Sequence, residues 1–181
     1  MPTNSTDAAL FSENLAALKA IAPDLARQLE KITAPHTRIL YDAHGGADLA
    51  LFERGLYETD ARKFAERQVA EFIARPQRVY LEPPDPVRLK GVVGDFCQRV
   101  MARLEAEGLA TAAGGNTPDA HFLFSFGVGL GFHLEKLIAA TSARVVILIE
   151  PNLEFLWHSL HVVDWRVLLR PVLTGERSFV F

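Results

Sequence analysis

The stretch from His121 to Glu150 constrains the fold more than any other. An apolar run, Phe122-Leu123-Phe124-Ser125-Phe126, leads into Gly127-Val128-Gly129-Leu130-Gly131 and then into a helical pattern. A second apolar run, Val145-Val146-Ile147-Leu148-Ile149, follows and stops at Glu150. Strand, glycine turn, helix, strand and terminal acid make a Rossmann-like half-unit of a parallel α/β sheet. Glycines let the backbone approach a ligand, and the helix start offers N–H groups that no helical carbonyl takes up. The acid stands where it would accept a ribose hydroxyl. His133 lies in the first turn after the glycines, where a positive helix end depresses its pKa and a phosphate or carboxylate is within reach; the alternative is a ring packed over the strand. The expected cofactor-binding set is therefore Gly127, Gly129, Gly131, His133 and Glu150.

Different nucleotide families need different glycines. A G-x-G-x-x-G turn would carry its third glycine at position 132 or 134, where Phe132 and Leu134 stand, and this weakens a dinucleotide reading. A G-x-G-x-G turn with an acid about 20 residues on resembles the S-adenosylmethionine motif of methyltransferases. That family carries an acid two residues before the first glycine, and Ser125 occupies the position here. A plainer reading stays open beside both: the glycines only permit close strand-to-helix packing, and Glu150 caps a helix opened by Pro151.

Upstream, Leu10, Phe11, Leu15, Leu18, Ile21, Leu25, Leu29 and Ile32 recur at three and four residues, predicting two helices with Pro23 restarting the second. From Thr33 to Asp48, Pro35, Gly45 and Gly46 break the periodicity and predict loop or a short edge strand around Arg38 to Tyr41. A helix resumes near Thr59 or Asp60 and ends at Arg75-Pro76. Arg78 to Leu81 is a strand candidate. Asp85 as cap and Pro86 as first helical residue open a further helix that stops at Gly108. Ala110 to Asp119, with Gly114, Gly115, Asn116 and Pro118, is the expected connector. Beyond Glu150 a helix runs through Leu153, Leu156, Trp157 and Leu160, and Val167 to Leu169 and Ser178 to Phe181 are expected strands. The closing Phe179-Val180-Phe181 is an apolar edge without a polar tail, so the sequence reads as part of a longer protein, truncated at its C-terminus.

The predicted fold class is α/β, a Rossmann-like parallel sheet unit preceded by a helical N-terminal segment. The expected divisions are residues 1–34, the helical segment; 35–110, a helix-rich α/β lead-in; and 120–181, the nucleotide-binding-type unit. Among 181 residues, 49% hydrophobic and 23% charged, the formal net charge of -3 leaves no basic footprint for nucleic acid. The single cysteine, Cys97, excludes an internal disulfide and reads as a small buried helix residue. Met1 to Asp7 lacks the layout of a signal peptide, and no apolar run reaches the roughly 20 residues a span needs. A cytoplasmic protein without a membrane partner is expected.

Phe11-Ser12-Glu13-Asn14-Leu15-Ala16-Ala17-Leu18-Lys19, Leu56-Tyr57-Glu58-Thr59-Asp60, Phe72-Ile73-Ala74-Arg75-Pro76-Gln77-Arg78, and Phe126 to Leu134 with Ile149-Glu150-Pro151 together resemble the N-terminal region of the motility accessory factor family. These are bacterial flagellin glycosyltransferases. The resemblance implies transfer of a nonulosonic acid, such as a pseudaminic or legionaminic acid, from its CMP-activated form to flagellin serine or threonine hydroxyls before export. It implies flagellin as partner, a role in flagellum assembly and motility, and a donor held by a domain downstream of this region. It assigns no catalytic residue to this chain, and leaves the segment a structural or acceptor-docking part. A methyltransferase using S-adenosylmethionine is the alternative function.

Other candidates carry less. His158, His161 and Asp164 are spaced three apart on one helix, a geometry open to a metal, but read more simply as partly exposed surface groups; no metal is expected. His44-Gly45-Gly46 is a candidate anion nest or a plain turn.

Overall fold

A computed structural model describes residues 5–52, 54–77, 90–106 and 121–181. Met1–Pro76 and Asp119–Phe181 form one compact unit, and Gln77–Pro118 a second. In the second, α4 (Gly91–Ala106) carries Val92, Phe96 and Val100 four residues apart, the spacing of one helix face. The expected strand at 78–81, the Asp85-Pro86 start, the stop at Gly108 and the connector at 110–119 lie outside the described residues.

The larger unit opens with α1 (Ser5–Ile21) and α2 (Pro23–Glu30), and Pro23 sits at the first turn of α2, where its missing N–H costs nothing. An antiparallel meander follows, β1 (Arg38–Tyr41), β2 (Ala47–Leu51) and β3 (Arg54–Gly55), with Arg38 opposite Ala50 and Tyr41 opposite Ala47. The region from Thr33 to Asp48, read as loop or a lone edge strand, thus holds β1, the hairpin turn and the start of β2. Its turn is closed by Asp42, whose Oδ1 accepts from the N–H of His44 and Gly46 at 2.7 and 2.8 Å. Gly45-Gly46 marks the tip of this hairpin, and buried Ala47 and Ala50 gave β2 too weak an alternation to stand out. Helix α3 (Ala61–Ala74) begins where expected, with Asp60 accepting from Arg62 N–H at 3.2 Å.

The rest is a parallel α/β unit of Rossmann-like kind. β4 (Phe122–Phe126), α5 (Phe132–Ala139), β5 (Val145–Ile149), α6 (Leu153–Val162), α7 (Trp165–Leu173) and β6 (Ser178–Val180) alternate, and the strands lie in the order β4-β5-β6, all parallel. Val167 to Leu169, expected as a strand, lies within α7. Trp165, Leu168 and Leu169 are its buried residues, a three-and-four spacing, and Asp164 caps it by accepting from Arg166 N–H at 3.0 Å.

One apolar core joins the helical segment to the sheet: Leu123, Val146 and Leu148 from the strands, Leu134, Leu137 and Ile138 from α5, Leu160 from α6, Trp165 and Leu169 from α7, with Leu18 and Leu29 from the first two helices. A fully buried asparagine fixes that junction. Asn14 Nδ2 donates to the carbonyls of Leu160 (2.8 Å) and Val163 (2.7 Å), and its Oδ1 accepts from Trp165 N–H at 2.8 Å. Helix α6 ends and α7 begins there, so Asn14 supplies partners to backbone groups that neither helix satisfies by itself. Asn14→Ala strands these groups in the buried core, and we expect a loss of roughly 2–4 kcal/mol in urea unfolding, against less than about 1 kcal/mol for exposed Glu13→Ala.

Candidate functional site

The glycine turn joins β4 to α5, and its N–H groups converge as an anion nest would. Side chains of the same chain already meet them. Glu150 Oε2 accepts from Val128 N–H at 2.7 Å and from Gly129 N–H at 3.2 Å, while its Oε1 accepts from Asn152 N–H at 2.9 Å. The Tyr57 hydroxyl accepts from Leu130 N–H at 3.0 Å. Burial pushes the Tyr57 phenol up, the Leu130 N–H opposes this, and the nearby carboxylates of Asp48 and Glu150 raise it further. The hydroxyl therefore stays protonated beside the turn.

Glu150 does not cap the helix that follows it. α6 starts at Leu153 rather than at Pro151, and its cap is Asn152, which accepts from Glu154 N–H at 3.1 Å. With that task taken, the Glu150 side chain is free to turn back across the end of the sheet onto the glycines.

The three glycines serve different needs. A Cβ on Gly127 would meet nothing within 4 Å. Gly129, at φ +51°, lies under Tyr57, and a Cβ there would collide with the hydroxyl. Gly131, at φ +81°, is the residue before α5, where a Cβ would come within 3.3 Å of Ser159 Cβ and 3.6 Å of Val163 Cγ2. Two of the three are thus close-packing positions, one against a tyrosine and one against α6. Beside them, His133 Nε2 lies 3.2 Å from the Oγ of buried Ser125 on β4. Burial drives the His133 pKa from 6.5 down to about 4, with the Gly127 carbonyl opposing it. The ring is neutral at pH 7 and able to exchange one hydrogen bond with Ser125.

A second polar cluster ties α6 to the segment before β1. Glu154 Oε2 accepts from the Thr37 N–H and hydroxyl, both at 2.7 Å, and its Oε1 from His36 N–H at 3.0 Å, the His36 ring nitrogen standing at the same distance. Burial pushes the Glu154 carboxyl up, but the donors of His36 and Thr37 outweigh it and hold it at about 2. One turn on, His158 Nε2 lies 3.0 Å from both the carbonyl and the hydroxyl of Thr37. His158 is therefore buried, contrary to the surface reading. His161 instead has Nδ1 at 2.9 Å from the Trp157 carbonyl and stacks on Phe11, and Asp164 caps α7, so the three residues face separate partners. Among the described residues no group of three or more His, Cys, Asp or Glu side chains converges as a metal site. Cys97 lies in α4, and its side chain is outside the described residues.

Residues 10–181 match the family model described as glycosyltransferase Maf N-terminal domain. The chain belongs to this family. A likeness of fold agrees: the solved structure of the MAf glycosyltransferase from Magnetospirillum magneticum AMB-1 superposes with a TM-score of 0.68 at 24% identity, covering 97% of this chain and 27% of that one. This chain thus spans about a quarter of the length of that relative. No curated protein sequence matches it significantly. Among the described residues no helix is long and apolar enough to cross a membrane.

Within this Maf N-terminal domain, the residues that sequence patterns missed are Tyr57, Thr37 and Glu154, and the binding partners of Asn14. Tyr57 and Asn14 each sit inside a stretch that carried the family resemblance, the one available signal, whereas their contacts span 73 and about 150 residues. A groove of about 180 Å³ beside the start of α5, bordered by Arg62, Glu66, Glu135, Lys136 and Asp164, is smaller than the roughly 300 Å³ at which ligand pockets begin.

Two tests follow from this packing. Gly129→Ala should cost a few kcal/mol, roughly 2–3, and about half of that should vanish in a Tyr57→Ala background, because the colliding hydroxyl is gone while the positive φ remains; a double-mutant cycle by urea unfolding reads the coupling. The second concerns pH. His133 is neutral in the fold and protonates near 6.5 when unfolded, so its contribution is complete above pH 6.5 and is lost as pH falls toward 4. The Glu154 contribution is complete above about 4.5 and is lost as pH falls toward 2. His133→Gln should shrink the first decline in unfolding midpoint and leave the second.

Proposed function

We propose that this chain is the N-terminal part of an enzyme that transfers a nonulosonic acid from its CMP-activated form to serine or threonine hydroxyls of flagellin in the cytoplasm, supporting flagellum assembly and motility. Within that enzyme the domain has a structural or acceptor-docking role, and the donor is held by a downstream domain. The observation that carries this division of labour is the occupied nest: Glu150 and Tyr57 take the N–H groups of Val128, Gly129 and Leu130 that a nucleotide would need. Family membership over residues 10–181 supports the chemistry of glycosyl transfer. The same geometry gives no support to an S-adenosylmethionine site, since the acid that would face the ribose has both oxygens on backbone N–H groups.

The expected outcome is that residues 1–181 alone move no sugar from CMP-activated nonulosonic acid to unmodified flagellin, read by the intact mass of the acceptor, and give no calorimetric binding signal with CMP, NAD or S-adenosylmethionine. Heat evolved with S-adenosylmethionine and abolished by Gly129→Val would replace this reading with a methyltransferase. Robust transfer by the isolated domain would place the donor site within it.

A further inference from the structure

Among the described residues of its own unit, the parallel sheet has helices packed on one side only. Side chains alternate along β4, so Leu123 and Ser125 are buried on the helix side while Phe122, Phe124 and Phe126 are 45%, 54% and 78% exposed. The register sets Val145, Ile147 and Ile149 beside them on the same outer face, and Val180 beside Ile147. This face carries no charged residue. All-parallel sheets are found with both faces covered, and the covering layer is helical.

The direction of the chain indicates what supplies that layer. β4, β5 and β6 are laid down in one direction across the sheet, and α5, α6 and α7 all pack into the core on its inner face. Right-handed crossovers keep helices on that face for as long as strands are added in the same direction. Helices reach the opposite face only when the chain steps back past the first strand. The solved relative has most of its chain outside the 27% that this domain matches, and the family model describes the matched part as an N-terminal domain. A second copy fits less well, because it would stack two parallel sheets on each other without a helical layer.

We propose that the outer face of β4-β5-β6, centred on Phe124, is a docking surface for helices of the same polypeptide downstream of residue 181, in strand–helix units that step back past β4. The sheet is then one half of a doubly wound layer. This goes beyond the proposed function and does not depend on which sugar or acceptor the enzyme uses.

The test uses the natural full-length polypeptide with the photoreactive residue in Phe124→p-benzoylphenylalanine, a change of one exposed aromatic side chain for another. Phe122→p-benzoylphenylalanine is the second position. After irradiation, gel mass and peptide mass spectrometry identify the attachment site. The expected product runs as a monomer, with both positions joined to peptides beyond residue 181. A product of doubled mass, attachment only within residues 1–181, no attachment from either position, or a natural polypeptide ending at residue 181 would each overturn the proposal.

Discussion

A backbone N–H that leaves a strand or precedes a helix has no ladder partner, and burying it unpaired costs about 1–3 kcal/mol. In this domain four carboxylates of the same chain supply acceptors of this kind. Glu150 closes the glycine turn, Glu154 holds His36 and Thr37, Asp42 closes the β1–β2 hairpin, and Asp48 Oδ1 accepts from Tyr57 N–H at 3.0 Å. The last is linked to the first: Asp48 positions the backbone of Tyr57, whose hydroxyl meets Leu130 beside Glu150. The antiparallel meander and the parallel sheet thereby share one polar seam.

That seam changes what the glycine motif means. Glycines after a strand permit close approach of anything to the backbone, and a nucleotide is only one candidate. Here a tyrosine and a helix are what approach at Gly129 and Gly131. A carboxylate in the nest meets the same partial positive charge that a phosphate would, and being tethered it loses little freedom on binding. The motif thus serves the fold directly.

Most of the architecture was legible in the sequence because it rests on local periodicity. Pro23, Asp60 and the apolar runs at 122–126 and 145–149 place α2, α3, β4 and β5 where residue spacing alone puts them. The errors have the same origin. Val167-Leu168-Leu169 looks like a strand until Trp165 joins Leu168 and Leu169 on a helix face, and two of the five residues of β2 are alanine. The site was less legible. That Glu150 ends a strand is visible, whereas the direction its side chain takes depends on Asn152 relieving it of capping and on Tyr57, 73 residues before Leu130, arriving over the turn.

Asn14 has a further consequence for how the domain is made. Its three partners lie 146 to 151 residues later in the chain. At a synthesis rate of about 5–20 residues per second, α1 emerges roughly 7–30 s before the groups that complete it. For that interval its apolar face, with Leu15 and Leu18, has no α6 or α7 to pack against, and the buried amide must be hydrated. α1, translated ahead of the domain's other described elements, is therefore among the last to be locked, and a nascent chain stalled before Trp165 would present that face to whatever binds unfolded polypeptide.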